Sequence, residues 1–402
     1  RGPERIALLG PNGSGKTTLL KRQAMAEWPD GPRWPRTLRS RRVHPLPGLT
    51  DLIRVGLRGG WTRREVSDAG LLPIHPTDLQ PVLAGEVAAT WIGHSSWLVR
   101  TATQSVLIDP VLSRHIRGVR PRLTPPGLTF AELPPVNVLL ISHDPHSDHL
   151  DWPTVTRLDR RITVLVPAKL GKGFRRRGFQ DVRELDWWDE VRLDDLIFTC
   201  LPAAHWSGRT PLGLWRTLWA CWMITTASGQ RIYHAGDSAY ALHFQEIGAR
   251  YGHIDLALMP VGSYSPQAIQ AFAHMNPGEA VRACGDLRAS RMALMHWATF
   301  VLSDEPLLEP MRLSMHAWRR AERPPADLWP LAVGETRILP TAPPVHSHDA
   351  RAEPDQLAPP EDALALTRPG GIAETAPPIA SPPRSATTVP TSRTGAPREV
   401  PS

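Results

Sequence analysis

Short apolar runs separated by turn residues recur along the middle of the chain, between Glu86 and Leu339. Runs of this length, bounded by Gly, Pro, Asp or Ser, are typical of buried β-strands. The predicted strands are 87–92, 96–99, 105–108, 136–141, 163–166, 196–200, 219–225, 231–235, 254–260 and 292–295. The clearest helix signal is Asn276 followed by Pro277, because asparagine is a good N-cap and proline suits the first helical turn.

The order of these elements indicates the fold class. Early strands close enough to form hairpins are followed by strands that alternate with helical segments. This pattern predicts an α/β protein with two sheets and helices outside them, a four-layer αββα sandwich rather than a parallel doubly wound sheet. The expected folded domain spans residues 83–340.

The two flanks lack a sustained core pattern. Residues 23–82 show scattered Arg, Pro and Gly without a period of 2 or 3.6, and we interpret them as an irregular linker. Of the 43 prolines, 14 fall between Pro340 and Ser402, among many Ala, Ser and Thr. Such a tail cannot bury enough apolar surface to offset its ordering entropy, so 341–402 is predicted to be disordered. Since the chain opens with Arg1 rather than Met, we expect a fragment or a misjoined reading frame.

Composition narrows the classes of protein to consider. The three cysteines stand far apart without a CxxC pair, which argues against disulfides and against a cysteine-ligated zinc site. No apolar run is long enough to span a bilayer and no signal peptide is evident, so a cytoplasmic protein is expected. The net charge of +7 suits an anionic partner such as a phospholipid surface. No specific nucleic acid is predicted, and the sequence gives no oligomeric state.

A phosphate-binding loop motif stands at the start of the chain. Residues 10–18 read GPNGSGKTT, follow a short apolar run and lead into a helical segment, as in GxxxxGK[ST]. Residues 1–22 resemble the opening of an ABC-type ATPase, but the acidic strand end and the LSGGQ-like loop of that family are absent. We therefore interpret the segment as an orphan P-loop, and ATP binding as an alternative function. The candidate ATP-binding residues are Gly13, Gly15, Lys16 and Thr17.

Four predicted strands run directly into metal-competent side chains. Strand ends that meet at one edge of a sheet are common places for functional sites. Imidazole and carboxylate ligands without thiolates suit zinc and leave room for a solvent ligand. The residues are the cluster His143, His146, Asp148 and His149, then His205, Asp237 and His296.

Residues 83–340 resemble the metallo-β-lactamase fold hydrolases. Within them, the similarity is to the N-acyl-phosphatidylethanolamine-hydrolysing phospholipase D branch and its ascorbate-lactonase-like bacterial relatives. The motifs that carry the resemblance are WIGHSS at 91–96, LIDP at 107–110, HDPHSDH at 143–149, PAAHWS at 202–207, RTLWACW at 216–222, HAGDSAY at 234–240, HMNPGEA at 274–280 and HWATFVLSDEP at 296–306.

The resemblance implies a centre of two zinc ions per chain. In the family arrangement the histidines of the first cluster and His205 hold one ion, Asp148, His149 and His296 hold the other, and Asp237 bridges them.

The sequence departs from the family pattern at one position. The family spacing is HxHxDH, whereas one extra residue follows His143 here. Two arrangements are open: a bulge at Pro145 aims His143 at the metal, or Asp144 takes the first ligand place. We favour the bulge, because His143 follows directly on its strand.

The resemblance also implies an activity. It is hydrolysis of a phosphodiester by a metal-bridged hydroxide, with a small molecule or phospholipid as substrate and peripheral contact with the inner face of a membrane. Asp148, Asp237 and His274 are the candidate catalytic residues. His94, His274 and Tyr264 are candidates either for supporting the metal ligands from behind or for contacting the substrate. The alternatives are a lactonase or other small-ester hydrolase, the nucleotide-binding module, and an inactive metal-poor homologue.

Four tryptophans lie close to His205 in the sequence: Trp206, Trp215, Trp219 and Trp222. They are expected either to line an apolar groove for acyl chains or to belong to a tryptophan-rich core.

Overall fold

The computed structural model describes residues 34–35, 37–48, 50–51, 55, 66–116, 119–144, 147–208, 213–339 and 341. All of these lie in one compact unit, which ends at Val345. The P-loop motif and the predicted tail from 342 onward lie outside the described residues. No helix among the described residues is long and apolar enough to cross a membrane.

Two seven-stranded mixed sheets form the centre of the unit, with strands numbered along the chain. The first sheet consists of β1 (Val87–Gly93), β2 (Ser96–Arg100), β3 (Ser105–Ile108), β4 (Val138–Leu140), β5 (Thr163–Pro167), β6 (Asp181–Leu185) and β14 (Thr336–Leu339). The second sheet consists of β7 (Glu190–Leu193), β8 (Leu196–Leu201), β9 (Cys221–Thr226), β10 (Arg231–His234), β11 (Ile254–Pro260), β12 (Ala289–Met295) and β13 (Leu328–Trp329).

The strand orders are β14-β1-β2-β3-β4-β5-β6 and β13-β12-β11-β10-β9-β8-β7. In the first sheet, neighbouring strands pair antiparallel from β14 through β1 and β2 to β3, and parallel from β3 to β6. In the second sheet the pairing is antiparallel from β7 to β10 and parallel from β10 to β13. As a result β4, β8, β10 and β12 all end at the edge where the candidate ligands follow.

Alternate side chains of the first sheet enter two different hydrophobic clusters. Trp97, Val106 and Leu140 belong to the larger cluster, which joins side chains of both sheets and of helices packed on the second sheet. Their neighbours Leu98 and Leu139 face a second cluster. Because successive strand side chains point to opposite faces, both faces of this sheet are covered.

Helices cover the outer faces of the sheets. They are α1 (Trp152–Val155), α2 (Gly171–Arg175), α3 (His243–Tyr251), α4 (Gln267–Gln270), α5 (Pro277–Asp286) and α6 (Glu309–Arg320). The predicted α5 is present, and Asn276 caps it in a capping box with Glu279. The four-layer αββα prediction is therefore confirmed.

Part of the expected linker packs on this core. Leu38 is fully buried in the larger cluster, and Leu72 joins the same cluster. Arg41 forms a buried ion pair with Asp186. The segment predicted to be a linker thus supplies two core side chains and one ion pair.

Candidate metal centre

The candidate ligands follow strands that end at one edge of the two sheets. His143 and His149 follow β4, Asp237 follows β10, and His296 directly follows β12. His205 follows β8, which runs in the same direction as β10 because both pair antiparallel with β9. Residues distant in the sequence therefore meet in one buried cluster.

The backbone at this edge takes up unusual conformations. His94, Asp109 and His296 have positive φ angles of 53°, 41° and 64°. Each such residue costs on the order of 1–3 kcal/mol, and positions of this kind concentrate at functional sites. Gly236, at φ 53°, brings the end of β10 so close to the other sheet that an added Cβ would lie 2.8 Å from Cβ of Ser142. A glycine is required before Asp237 for this approach.

Asp237 lies at the centre of the cluster and is 2% exposed. Its Oδ1 is 3.1 Å from Nε2 of His149 and 3.1 Å from Nε2 of His296. Its Oδ2 is 3.8 Å from Nε2 of His143 and 3.8 Å from Nε2 of His205. One carboxylate therefore faces imidazoles from both sheets.

The potential ligands fall into three overlapping groups, in each of which the donor atoms lie within 4.8 Å of one another. Asp237 belongs to two groups and so does His149, which makes the cluster continuous. The groups are His94, Asp148, His149 and His296; His143, His149 and Asp237; and His205, Asp237 and His274.

Opposite charges compensate each other within the cluster. Burial alone would raise the pKa of Asp237, but the imidazoles of His149 and His296 hold that pKa well below its usual range. Burial would lower the pKa of His149, but the carboxylates of Asp237 and Asp148 hold it well above its usual range. Burial and the neighbouring His296 lower the pKa of His94 to about 3. The carboxylates of Asp148 and Asp237 thus stabilise positive charge in the cluster. A metal cation can supply this charge in place of a proton on a histidine.

The donor set fits a divalent metal. Among the described residues, both oxygens of Asp237 and Nε2 of His296 are buried and have no hydrogen-bond partner of good geometry. Oδ1 of Asp237 and Nε2 of His296 nevertheless lie only 3.1 Å apart. Buried polar atoms are normally hydrogen-bonded or bound to a metal. Nitrogen and oxygen donors without thiolates are those that zinc, iron or manganese accept.

The sequence did not indicate a role for Asp109, although it lies in one of the motifs. Its Oδ2 accepts a hydrogen bond from Nδ1 of His149 at 2.8 Å, and its Oδ1 accepts from the backbone N–H of Ser142 at 2.7 Å. A carboxylate behind a histidine fixes the tautomer and orientation of a metal ligand. The available signal was the position of Asp109 directly after β3, at the edge where the ligands gather.

Most of the predicted site residues come together. His143, Asp148, His149, His205, Asp237 and His296 lie in the cluster, and His274 borders it as a half-buried member. Asp144 is half-buried and belongs to none of the three groups. The remaining predicted residues, His146, Gly13, Gly15, Lys16 and Thr17, lie outside the described residues.

Of the two expectations for the tryptophans near His205, the structure has the tryptophan-rich core for three of the four. Trp219 and Trp222 are fully buried, and Trp215 packs in the same core. The indoles of Trp219 and Trp222 donate to the backbone oxygens of Ala203 and Ile141. These side chains stabilise the space between the sheets, and Trp206 alone of the four is half-buried.

Comparison with known proteins shows similarity of this chain in sequence and in fold. A family model described as "Beta-lactamase superfamily domain" matches residues 104–297. N-acyl-phosphatidylethanolamine-hydrolyzing phospholipase D 1 of Caenorhabditis elegans is 30% identical over 288 residues, which cover 66% of this chain and 80% of the relative. The chain belongs to the metallo-β-lactamase superfamily.

Two further proteins are similar to this chain, one in sequence and one in fold. An uncharacterized protein of Mycobacterium tuberculosis is 39% identical over 254 residues, covering 60% of this chain and 67% of that protein. The isothiocyanate hydrolase from Delia radicum gut bacteria shares the fold, with a TM-score of 0.51 and 18% identity over 62% of this chain and 98% of that one. This superfamily member is accordingly a metal-dependent hydrolase, with a His/Asp cluster that can bind metal.

Proposed function

We propose that this superfamily member is a hydrolase that uses two zinc ions to cleave the phosphodiester of an N-acyl-phosphatidylethanolamine-like phospholipid. The observation that carries the proposal is the position of the Asp237 carboxylate, whose Oδ1 faces His149 and His296 while its Oδ2 faces His143 and His205. A carboxylate has two oxygens, so Asp237 can serve two ions at once, with imidazoles completing each site. Asp148, His149 and His296 would hold one ion, and His143, His146 and His205 the other.

The proposed substrate rests on the named relatives. The worm protein is named as an N-acyl-phosphatidylethanolamine-hydrolyzing phospholipase D. A mitochondrial protein of Saccharomyces cerevisiae, which is 34% identical to this chain over 232 residues, has the same name. The yeast alignment covers 55% of this chain and 49% of the relative. A phosphodiester is a chemically suitable target, because its oxygens gain charge that cations can stabilise.

The side chains of the cluster would have different roles in the proposed hydrolysis. Bound divalent cations would supply Lewis acidity toward a phosphoryl oxygen and would acidify a water molecule. Asp148 borders the cluster with its carboxylate and can take up a proton from the attacking water. His274 is half-buried beside His205 and Asp237, so it can reach the substrate from the open side. Asp237 holds the ligand groups of the two sheets together.

Peripheral contact with the inner face of a membrane belongs to the same proposal. Arg39 and Arg42 stack on Trp215 at 5.3 and 5.8 Å, and Val43 and Leu242 expose 49% and 74% of their surface. The segment carrying these arginines contacts the loop after Asp237, since Nε2 of His44 lies 3.1 Å from the backbone oxygen of Tyr240. Cations next to apolar side chains suit an anionic bilayer.

The decisive experiment measures zinc and turnover on the same preparation. We expect close to two zinc ions per chain by elemental analysis, and release of phosphatidic acid from N-acyl-phosphatidylethanolamine that stops after chelation. A chain that carries zinc but leaves the lipid intact would contradict the substrate. A chain that binds no divalent metal would remove the mechanism.

A second candidate is a lactonase or other small-ester hydrolase. It would use the same metal centre, because a bound divalent cation can also polarise the carbonyl oxygen of an ester or lactone. Turnover of lactones in parallel with the phospholipid distinguishes the two candidates, because both need the metal and only one needs acyl chains.

A further inference from the structure

The side chain of His94 lies against one of the proposed ligands. His94 occupies the turn between β1 and β2 and is 1% exposed. Its Nε2 is 3.1 Å from Oδ2 of Asp148. Because a carboxylate only accepts hydrogen bonds, Nε2 carries the proton and donates it.

The backbone of His94 is fixed from the opposite sheet. Its N–H donates to Oγ1 of Thr299 at 2.7 Å, and its carbonyl oxygen accepts from the backbone N–H of His296 at 3.0 Å. The same oxygen accepts from Nε1 of Trp91 at 2.8 Å. The left-handed conformation at φ 53° is held by these bonds. These bonds place the main chain of His94, and its ring packs against the rings of His296 and Phe300 at centroid distances of 4.1 and 5.4 Å, all independent of Asp148.

A carboxylate needs such a support to keep one orientation. The terminal torsion of an aspartate is broad, so the carboxylate rotates easily unless a hydrogen bond fixes it. With His94 bound, Oδ2 of Asp148 lies 3.7 Å from Nε2 of His149 and 3.8 Å from Nε2 of His296. This oxygen thus faces the two imidazoles that would share its ion.

We infer that His94 is a positioning residue that orients the carboxylate of Asp148 for metal binding, and that its main chain ties this orientation to the strand end carrying His296. The inference rests on the proposed function in one respect, namely that Asp148 is a ligand. It assigns to His94 a task that the ligand pattern of the sequence does not contain. Hydrogen-bond partners of metal ligands are worth about 10–100-fold in metal affinity or activity.

The test compares His94→Ala with His94→Gln in the full chain. Both residues tolerate the left-handed backbone equally poorly, so the pair differs mainly in the donor, because the glutamine amide reaches the place of Nε2. Zinc affinity is measured by competition with a chromophoric chelator, and the spectrum of the cobalt-substituted protein reports the carboxylate. We expect His94→Ala to bind one of its two ions about 10–100-fold more weakly. His94→Gln should retain most of the wild-type affinity and cobalt spectrum.

Equal affinity in wild type and His94→Ala would overturn the inference and leave the proposed function intact. Equal loss in His94→Ala and His94→Gln would also overturn it, since packing alone would then explain the effect. Should His94→Ala fail to fold, His94→Asn replaces it, because asparagine accepts the left-handed conformation but its amide falls short of Asp148. Absence of zinc binding in the wild-type chain would instead contradict the proposed function itself. At saturating zinc, we expect His94→Ala to lower kcat while KM stays unchanged.

Discussion

At the scale of single residues, Asp237 connects the parts of the cluster that the two sheets contribute. Its two oxygens face imidazoles from the strand ends of both sheets, and its pKa lies well below the usual range because those imidazoles outweigh the effect of burial. The negative charge of Asp237 balances positive charge in the cluster, whether protonated histidines or a metal cation carry it. Removal of Asp237 should therefore affect all the imidazoles that face it and not one contact alone.

We predict that His205→Ala and Asp237→Ala each reduce hydrolysis by about two to three orders of magnitude, because each loses charge or a ligand that acts in the transition state. The measurement is kcat together with zinc content for each variant. His253→Ala is a suitable control, since His253 is exposed and lies directly before β11, at the opposite edge of the sheet. Near-normal turnover in Asp237→Ala would contradict a bridging role.

Asp109 offers a second prediction at this scale. Asp109→Ala should weaken zinc binding about 10–100-fold, because His149 loses the carboxylate that fixes its tautomer. Asp109→Asn keeps an acceptor without the charge and should fall between wild type and Asp109→Ala. Chelator competition gives the affinity, and a melting curve of the metal-free protein separates this effect from general destabilisation. Identical zinc affinity in all three proteins would exclude the support role.

At the scale of elements, the loop after β4 decides how the extra residue is accommodated. His143 directs Nε2 toward Asp237 at 3.8 Å, and Nδ1 of its ring lies 2.9 Å from Oγ of Ser142. Asp144 instead uses its backbone oxygen to accept a hydrogen bond from Thr217. Of these two residues, His143 is the one whose ring nitrogen faces Asp237.

This geometry gives a prediction for the loop. His143→Ala should be nearly as damaging as His205→Ala, whereas Asp144→Ala should have a small effect, and deletion of Pro145 should help little or do harm. The measurements are turnover and zinc content of the three variants. A silent His143→Ala together with a damaging Asp144→Ala would mean that the aspartate is the ligand.

Helix α5 gives a prediction about stability. Oδ1 of Asn276 accepts from the backbone N–H of Glu279 at 3.0 Å, and the Glu279 carboxylate accepts from the backbone N–H of Asn276 at 3.0 Å. Asn276→Ala should lower the free energy of unfolding by about 1 kcal/mol, because the backbone N–H of Glu279 loses its acceptor. Denaturant unfolding measures the loss. Arg312→Ala, on the exposed face of α6, should change it by less than about 0.5 kcal/mol.

At the scale of the whole molecule, the packed unit extends upstream of residue 83. Leu38 is fully buried in the larger core cluster, and its backbone N–H donates to the backbone oxygen of Trp215 at 2.7 Å. The guanidinium of Arg41 lies 5.1 Å from the ring of Trp187 and pairs with Asp186. Residues 83–340 alone would leave these partners exposed.

We therefore predict that Leu38→Ala in the full chain lowers the free energy of unfolding by about 2–5 kcal/mol, the cost of a cavity in a packed core. Val43→Ala, five residues further on and 49% exposed, should change it by less than about 0.5 kcal/mol. Both values come from denaturant unfolding of the metal-free protein. Equal effects of the two substitutions would show that the upstream segment adds nothing to the core.

The periodicity of the sequence determined which segments become central strands. All ten predicted strands occur, with bounds that differ by at most three residues. Local patterns are sufficient there because these strands are buried and apolar on both faces. β6 and β7 were missed because they lie at sheet edges, where half-exposed sequences such as DVREL and EVRL resemble loops. β13 was missed because two residues give no measurable period, and β14 because it is another half-exposed edge strand, TRIL.

The sequence also determined the kinds of ligand, since histidines and aspartates at strand ends have a recognisable spacing. Only the tertiary structure decided what stands behind them. Asp109 meets His149 and His94 meets Asp148 across 40 and 54 residues of chain. Leu38 enters a core built mainly of residues far downstream, and three tryptophans near His205 pack inward. The physical reason is that periodicity records the face of one element, whereas the partner on that face is set by the pairing of distant strands, which no local pattern contains.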